Sequence, residues 1–419
     1  MQPYETNEAE ERVILAAVED SRGAMDAESC LDELAQLVET SGGSVAGRLI
    51  QKREAKHPGH YLGKGKLDEL KELIAQSNAT GVVCDDELTG NQLRNMEEKL
   101  DSKIMDRTMV ILDIFAECAR SAEGKAQVEL AQLNYRASRL TGLGKSLSRL
   151  GGGIGTRGPG ETKLETDRRH IRNRIDDLNA ELKEIEKQRE VQRSRREKNN
   201  AGIISMVGYT NAGKSSIMNL LTQAGVFESP RLFATLDTAT RRLELPGGSE
   251  ILFTDTVGFI GKLPHHLVKA FRATLEELKY ADILVHVVDS SAKNRIEQMK
   301  VVYDTLRSLD CANKPVITVY NKIDLVDSFE GMSDAAAVKT AYLSAKTGEG
   351  KEKLLSIIEE AYQALRNKIK VLIPYDRGQL LGLIYKSAEI LYEEHTEAGT
   401  LIEAYADSDV KGRLAEFTI

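Results

Sequence analysis

The sequence predicts a multidomain α/β protein whose central part is a Rossmann-like domain with a mainly parallel sheet. Short apolar runs alternate with helical patterns in two separate stretches, and one apolar run leads directly into a glycine-rich loop and a helix. The 419 residues are enough for about three domains. Lys and Arg number 57 against 65 Asp and Glu, and the net charge of -8 disfavours a generic nucleic-acid binder.

The N-terminus and the cysteines indicate the compartment. The first residues are acidic, and no stretch approaches the roughly 18 apolar residues that span a bilayer, so we expect a cytoplasmic protein without a membrane span. Cys30, Cys84, Cys118 and Cys311 include no C-x-x-C pair and no His at metal-ligand spacing. We therefore expect reduced, mostly buried thiols rather than a metal site.

Residues 1–123 are predicted to form an N-terminal α/β domain. Apolar runs at 13–18 and 81–84 are typical of buried strands, and helical patterns lie around 30–38 and from Asn91. The Gly-Lys alternation at 63–66 is compatible with a phosphate contact or with a turn at the start of a helix. The turn is the commoner use of such residues.

Residues 124–199 are predicted to form an antiparallel helical hairpin. Apolar residues repeat at spacings of three and four from 130 to 140 and again from 171 to 185, as along a seam between helices. Thr162-x-x-Glu165 is a capping pattern that indicates the start of the second helix. The tip at 141–160 holds eight glycines and has no core of its own. It contains G-x-G-x-x-G, but a helix rather than a strand precedes the motif, so dinucleotide binding is rejected.

Positive charge is concentrated around this tip. From 136 to 174 the chain has ten Lys or Arg against three Asp or Glu, a local charge of +7, so the remaining residues carry -15. A basic, glycine-rich tip on an acidic protein is a focused site for RNA or DNA. A solvated helical face is the alternative, but no acid lies between 136 and 160. The predicted RNA contacts are Arg136, Arg139, Lys145, Arg149, Arg157 and Lys163.

A phosphate-binding loop is the strongest motif. The apolar run at 203–207 predicts a strand, and GYTNAGKS and a helical pattern follow it, which is the context that G-x-x-x-x-G-K-S requires. Backbone amides of such a loop approach the α- and β-phosphates, the Lys neutralises the β- and γ-phosphates, and the Ser hydroxyl coordinates Mg²⁺. The predicted loop residues are Gly208, Tyr209, Thr210, Asn211, Ala212, Gly213, Lys214 and Ser215.

Three further motifs follow in the order typical of a GTPase. One strand ends in DTVG, which places Asp255 behind the Mg²⁺ and the Gly258 amide at the γ-phosphate. Later strands end in NKID and SAK; Asp324 can accept from guanine N1 and the exocyclic amine, and the Ala345 amide can meet O6. The predicted contacts are Asp255, Thr256, Val257, Gly258, Asn321, Lys322, Ile323, Asp324, Ser344, Ala345 and Lys346. The sequence thus predicts a P-loop GTPase domain over 200–365.

A switch segment is expected between the phosphate loop and the DTVG motif. A threonine there is needed to complete Mg²⁺ coordination, and Thr235 is preferred over Thr238, so the predicted metal ligands are Ser215 and Thr235. Lys214, Thr235 and Gly258 are the predicted catalytic residues. The segment adds Phe233, Ala234, Thr235, Leu236 and Asp237 to the predicted nucleotide site.

The residues after the DTVG motif predict slow unassisted hydrolysis. Many GTPases have Gln there to orient the attacking water, whereas this chain has Phe259 and Ile260. Asn211 either helps to hold a K⁺ ion that supplies the missing charge, as in cation-dependent GTPases, or only shapes the loop. Arg241 and Arg242 are expected to contact a partner more readily than to act in cis.

With these motifs in place, the chain resembles the HflX family of ribosome-associated GTPases. The likeness spans nearly the whole chain and includes YLGKGK at 61–66, DRT at 106–108, QVELAQL at 127–133 and GGGIGTRGPGE at 151–161. The resemblance implies that the GTP-bound form binds the large ribosomal subunit and can split ribosomes. It also implies that the tip reaches ribosomal RNA near the peptidyl-transferase centre and that the ribosome stimulates hydrolysis.

The remaining expectations concern the tail and the competing functions. Residues 366–419 show two apolar strand-like runs around a helix, which predict a small C-terminal α/β domain. We expect GTP or GDP as ligand, Mg²⁺ as cofactor and a monomer off the ribosome. Two alternatives stay open: a GTPase that matures the large subunit, and an RNA-binding module in which the nucleotide is only structural.

Overall fold

The strands in the described part of the chain form three separate sheets, of four, six and three strands. The computed structural model describes residues 11–19, 26–140, 159–197, 202–222, 232–233, 235–236, 238–262, 267, 275–329, 331–406 and 408–419. Within these ranges, no helix combines the length and the apolar character needed to cross a bilayer.

The N-terminal sheet is fully parallel. Its strands β1 (Arg12–Glu19), β2 (Ser44–Lys52), β3 (Gly81–Cys84) and β4 (Lys103–Asp106) run in the order β2-β1-β3-β4. Helices α1 (Ala27–Thr40) and α4 (Arg107–Cys118) cover one face, and α2 (Lys64–Ser77) and α3 (Gly90–Leu100) cover the other. Strand β1 is buried from Val13 to Val18, as expected for a parallel strand covered on both sides. The predicted α/β unit is confirmed.

The predicted helical hairpin is confirmed. Helices α5 (Ala122–Leu140) and α6 (Pro159–Glu197) pack through Ala126, Leu130 and Leu178, with Leu133, Ile175 and Leu182 beside them. Ion pairs of 2.7 Å join Glu129 to Arg174 and Glu123 to Arg189, an order that makes the helices antiparallel. The second helix begins at Pro159, which suits the first turn because proline has no amide to satisfy. The predicted start at Thr162 is therefore wrong, and the tip at 141–158 lies outside the described residues.

The third unit has the predicted mainly parallel sheet. Its strands are β5 (Gly202–Gly208), β6 (Ala239–Glu244), β7 (Glu250–Asp255), β8 (Ile283–Asp289), β9 (Val316–Asn321) and β10 (Lys339–Tyr342). They run in the order β10-β9-β8-β5-β7-β6, and only β6 is antiparallel to its neighbour among these described strands. Helices α7 (Lys214–Thr222), α8 (Arg295–Ser308) and α9 (Lys351–Leu365) complete the unit. After β5 the chain builds β7 on one side and β8 on the other, and such a reversal leaves a crevice at the end of β5.

The C-terminal unit is a small α/β fold, as predicted, but it has one strand more than the two apolar runs. Strands β11 (Asn367–Ile373), β12 (Ala388–Thr396) and β13 (Gly399–Ala406) form an antiparallel sheet in the order β11-β13-β12, with α10 (Gly378–Ser387) and α11 (Ser408–Arg413). Most of β12 is exposed at the sheet edge and carries Glu393 and Glu394.

One apolar cluster crosses from the N-terminal unit into the third unit. We call it the interface core; it includes Leu34 and Phe115 of the N-terminal unit and Phe233, Ile260 and Leu267 of the third. The rings of Phe115 and Phe233 meet edge to face, with centroids 4.7 Å apart. Loops beside the crevice of β5 are therefore packed against α1 and α4.

Candidate functional site

The loop after β5 has the geometry of a phosphate-binding loop. Helix α7 begins at Lys214, so its N-terminal amides face the crevice, where they favour an anion. Gly213 has a φ of 95°, and a Cβ there would overlap the Asn321 side chain. Glycine is therefore required at this position, both for the backbone conformation and for space.

Lys214 is held inside the loop. Its Nζ donates to the carbonyl oxygens of Gly208 at 3.2 Å and Tyr209 at 3.0 Å. Burial lowers the pKa of Lys214 to about 8, although nearby Asp255 favours the charged form. The positive charge of this buried ammonium is only weakly balanced by its surroundings. A phosphate that binds beside it therefore stabilises the charged form.

Three oxygen-bearing side chains converge beside Lys214. The Ser215 hydroxyl lies 2.7 Å from Asp255 Oδ2 and 2.7 Å from the Thr235 hydroxyl, which itself lies 3.1 Å from the same carboxylate oxygen. Asp255 is fully buried, and its Oδ1 has no hydrogen-bond partner among the described residues. Burial raises the pKa of Asp255, with Lys214 opposing the shift. A buried carboxylate with a spare oxygen and two hydroxyls fits Mg²⁺, which prefers oxygen ligands.

The DTVG segment runs along the phosphate loop. The Thr256 hydroxyl donates to Met206 O at 2.6 Å and fixes the start of the segment. A Cβ at Gly258 would lie 2.8 Å from Thr210 Cα and 3.1 Å from Lys214 Nζ, so only glycine lets the backbone come this close. Backbone bonds then link Phe259 N to Gly208 O at 3.0 Å and Thr210 N to Phe259 O at 2.7 Å. Val257 is buried beside them.

The side chains of Phe259 and Ile260 are almost completely buried, each at 2% exposure. Ile260 belongs to the interface core, and Phe259 packs in a separate cluster beneath β8. Neither can hydrogen-bond to water at the site, as the sequence predicted.

The segments predicted to bind guanine are joined to the phosphate loop. Asn321 Nδ2 donates to Ala212 O at 2.9 Å, and the Ala345 amide donates to Asn321 Oδ1 at 3.0 Å. The Ser344 hydroxyl donates to Asp324 Oδ1 at 2.6 Å, and Asp324 is exposed. The Ala345 amide, expected at guanine O6, is thus engaged by Asn321 in this structure.

Other predicted residues lie around this framework. Lys322 has a φ of 62° and its Nζ donates to Asp289 at 2.7 Å; Ile323 is buried and Lys346 is exposed. Phe233 N donates to the Thr210 hydroxyl at 3.1 Å, and Leu236 is buried in the interface core. Ala234 and Asp237 lie outside the described residues.

Asn211 lines a cavity of about 350 Å³ between the phosphate loop and helix α1. Its φ of 59° also makes it a turn-forming residue of the loop, so the structure accommodates both interpretations of Asn211. The cavity wall includes the acids Asp32, Glu33 and Asp289, which pair with Arg48, Arg107 and Lys322, and it also includes Lys293. Arg241 and Arg242 lie elsewhere, exposed on the edge strand β6.

The predicted RNA contacts divide into two groups. Arg136 is exposed on α5. Arg139 instead pairs with Asp106 at 2.5 Å, donates to Leu88 O at 3.0 Å and lies over the Tyr135 ring, with its side chain only 14% exposed. These contacts link the hairpin to the N-terminal unit, and the contact of Arg139 with RNA stays a prediction. Lys145, Arg149, Arg157 and the side chain of Lys163 lie outside the described residues.

Sequence reasoning missed the residues of the N-terminal unit that face the site. Glu33 and Asp85 contact Tyr209 and Lys262 of the third unit, and Arg107 pairs with both acids from within the N-terminal unit. The DRT motif and the acidic pair at 85–86 stood out in the sequence, but their spacing gave no sign of a partner more than 100 residues away.

Three family models match consecutive parts of the chain: "GTP-binding GTPase N-terminal" over 28–116, "GTP-binding GTPase Middle Region" over 118–196 and "50S ribosome-binding GTPase" over 203–322. The chain is 53% identical to "GTPase HflX" of Lacrimispora saccharolytica, covering 98% of this chain and 97% of that protein. It is 48% identical to the protein of that name from Caldanaerobacter subterraneus, covering 98% and 94%. For the Escherichia coli protein of that name the identity is 40%, covering 88% of each.

Proposed function

Because the chain belongs to the HflX family of GTPases, which hydrolyse GTP, we propose that its GTP-bound form binds the large ribosomal subunit and splits stalled ribosomes. The observation that carries the proposal is the convergence of Ser215, Thr235 and Asp255. It joins the segment around Thr235 to the phosphate loop, so a bound triphosphate can order that segment and its loss can release it. In this proposal the protein is cytoplasmic, because ribosomes are. It is a monomer when it is not bound to the ribosome.

The residues of the site have distinct tasks in this proposal. Lys214 exchanges its two carbonyl contacts for oxygens of the β- and γ-phosphates, and the Gly258 amide donates to the γ-phosphate. Ser215 and Thr235 would hold Mg²⁺, which would neutralise charge on the phosphates, and Asp255 would support this site. Asp324 accepts from the guanine ring and excludes adenine.

Hydrolysis off the ribosome is slow because the residues after Gly258 are buried and apolar. Asn211 lies in the phosphate loop, where it would help to hold a K⁺ ion that supplies positive charge near the phosphates. The ribosome supplies the remaining stimulation. The basic hairpin, with Arg136 exposed on α5, is the part that contacts ribosomal RNA.

Co-sedimentation with purified large subunits tests the nucleotide dependence. We expect the wild-type protein to bind at least about tenfold more tightly with a non-hydrolysable GTP analogue than with GDP. Thr235→Ala should remove this difference, whereas Thr238→Ala changes a threonine outside the Ser215–Asp255 cluster and should preserve it. Equal association of wild-type protein in both nucleotides would contradict the proposal.

A splitting assay separates the proposal from its competitors. Whole ribosomes incubated with the protein and GTP should dissociate into subunits, as measured by sucrose-gradient profiles. Nucleotide-dependent binding without splitting, together with precursor particles in cells that lack the protein, would indicate a GTPase that matures the large subunit. RNA binding unchanged by Lys214→Ala would indicate an RNA-binding module with a structural nucleotide.

A further inference from the structure

Asp106, the first residue of the DRT motif, holds the end of the first hairpin helix against the N-terminal unit. Its Oδ1 accepts from the Met109 amide at 3.0 Å and from the Tyr135 hydroxyl at 2.8 Å. Its Oδ2 accepts from the Leu88 amide at 3.0 Å and from Arg139 at 2.5 Å. A carboxylate offers about four acceptor positions, so all of those on Asp106 are used.

The four donors come from three separate parts of the fold. Met109 lies in α4, Leu88 lies between β3 and α3, and Tyr135 and Arg139 lie near the end of α5. Asp106 is 0% exposed, so water does not compete for these hydrogen bonds. Hydrogen bonds to a buried charge are among the stronger ones in proteins. Asp106 therefore ties the end of α5 to the carboxyl ends of the neighbouring strands.

Arg139 and Gly90 complete this anchor. Arg139 also donates to Leu88 O at 3.0 Å, and its guanidinium carbon lies 3.3 Å from the centre of the Tyr135 ring. A Cβ at Gly90, the first residue of α3, would lie 3.2 Å from Arg139 O, so glycine lets the two helix ends come this close. Burial raises the pKa of Tyr135, so its phenol stays protonated and can donate to the carboxylate.

The anchored turn also carries an exposed cation. Tyr135 is 6% exposed and the side chain of Arg139 is 14% exposed, whereas Arg136 between them is exposed. Because successive helical residues point in different directions, holding Tyr135 and Arg139 inwards holds Arg136 outwards. A cation on a fixed turn loses less conformational entropy when it binds a polyanion.

We propose that Asp106, acting through Tyr135 and Arg139, is a positioning residue that fixes the last turn of α5 and so presents Arg136 to ribosomal RNA. The proposal rests on the RNA contact proposed above for the hairpin. It gives the DRT motif a part in partner binding, although Asp106 is itself a buried anion.

Asp106→Asn distinguishes this role from a direct contact of Arg139 with RNA by the sign of its effect. The substitution removes a negative charge and releases Arg139 from its ion pair. If Arg139 itself contacts RNA, both changes strengthen binding. If Asp106 positions the turn, binding weakens although the charge becomes more favourable. Tyr135→Phe removes one donor without a change of charge, so it decides the question if Asp106→Asn does not fold.

The test combines hydrogen exchange with co-sedimentation. In the free protein, both variants should speed amide exchange of residues 136–140 more than about twofold, while residues 126–130 exchange as in wild type. With a non-hydrolysable GTP analogue, both should bind purified large subunits more than about twofold more weakly, with GDP affinity unchanged. The control is Tyr303→Phe, which removes a hydroxyl bonded at 2.5 Å to Asp334 in the third unit and should change neither measurement.

Several results would overturn the proposal. They are folded Asp106→Asn protein that binds large subunits as tightly as wild type or more tightly, Tyr135→Phe binding within about twofold of wild type, and unchanged exchange at 136–140. An equal loss of binding in the Tyr303→Phe control would do the same. Wild-type protein that does not bind large subunits would instead contradict the proposed function, and the exchange measurement would still decide whether Asp106 fixes the turn.

Discussion

Raising the pH from 7 to 9 is expected to weaken GDP binding, because the free protein loses the charge on Lys214. Burial lowers the pKa of this side chain to about 8. Only the ammonium form attracts phosphate. The contribution of this charge to GDP affinity is therefore present below about pH 8 and is lost as the pH rises through that value.

The magnitude follows from the pKa. With a pKa of about 8, Lys214 is about 90% protonated at pH 7 and about 10% protonated at pH 9. The association constant for GDP should fall about tenfold, or about 1.4 kcal/mol. The stability of the free protein changes in the opposite direction: the depressed pKa destabilises the folded state below about pH 8, and this cost disappears as the pH approaches the ordinary lysine value of 10.5.

Calorimetric titration with GDP and GMP at pH 7, 8 and 9 measures the effect. GMP lacks the β-phosphate that Lys214 is proposed to contact, and its guanine loses a proton at the same pH as that of GDP. The ratio of GDP to GMP affinity should therefore fall about tenfold between pH 7 and pH 9. A ratio that stays constant would refute the role assigned to the buried ammonium.

Three further predictions concern single substitutions. Gly213→Ala should weaken GDP binding at least about tenfold, because its Cβ overlaps Asn321; Gly248→Ala, with a similar φ of 88° but open space, should leave calorimetric GDP affinity unchanged. Asn211→Ala should abolish any excess of the hydrolysis rate in K⁺ over Na⁺, and equal wild-type rates in both salts would exclude the K⁺ interpretation. Phe115→Ala should lower the free energy of unfolding by about 3–5 kcal/mol in denaturant titrations, and an unchanged midpoint would contradict its place in the interface core.

The elements that carry the predicted nucleotide site could be placed from the sequence because each motif is local in sequence. Asp255 is the last residue of β7, Lys214 and Asp324 follow β5 and β9, and parallel strands bring these ends to one edge of the sheet. The preference for Thr235 is matched by the contacts that this residue makes with Ser215 and Asp255. The roles assigned to these residues remain predictions that the experiments above test.

The interface between the units could not be predicted in the same way. Glu33, Asp85 and Arg107 lie in different elements, and their contacts with Tyr209 and Lys262 depend on how two sheets pack. The contacts of Arg139 could not be predicted either. A basic residue near a basic tip has the same sequence context whether its side chain contacts RNA or Asp106. Sequence spacing reports neighbours along one element, whereas these contacts arise between elements far apart in the chain.

The interface core has a consequence for the synthesis of the protein. Leu34 and Phe115 are made early, but their partner Phe233 follows roughly 120 residues after Phe115, and Ile260 comes later still. At 5–20 residues per second, the apolar surface of α1 and α4 stays uncovered on the growing chain for roughly 6 to 24 seconds. During that interval the nascent N-terminal unit exposes apolar surface that promotes aggregation, and this surface is covered only when the nucleotide-binding half emerges.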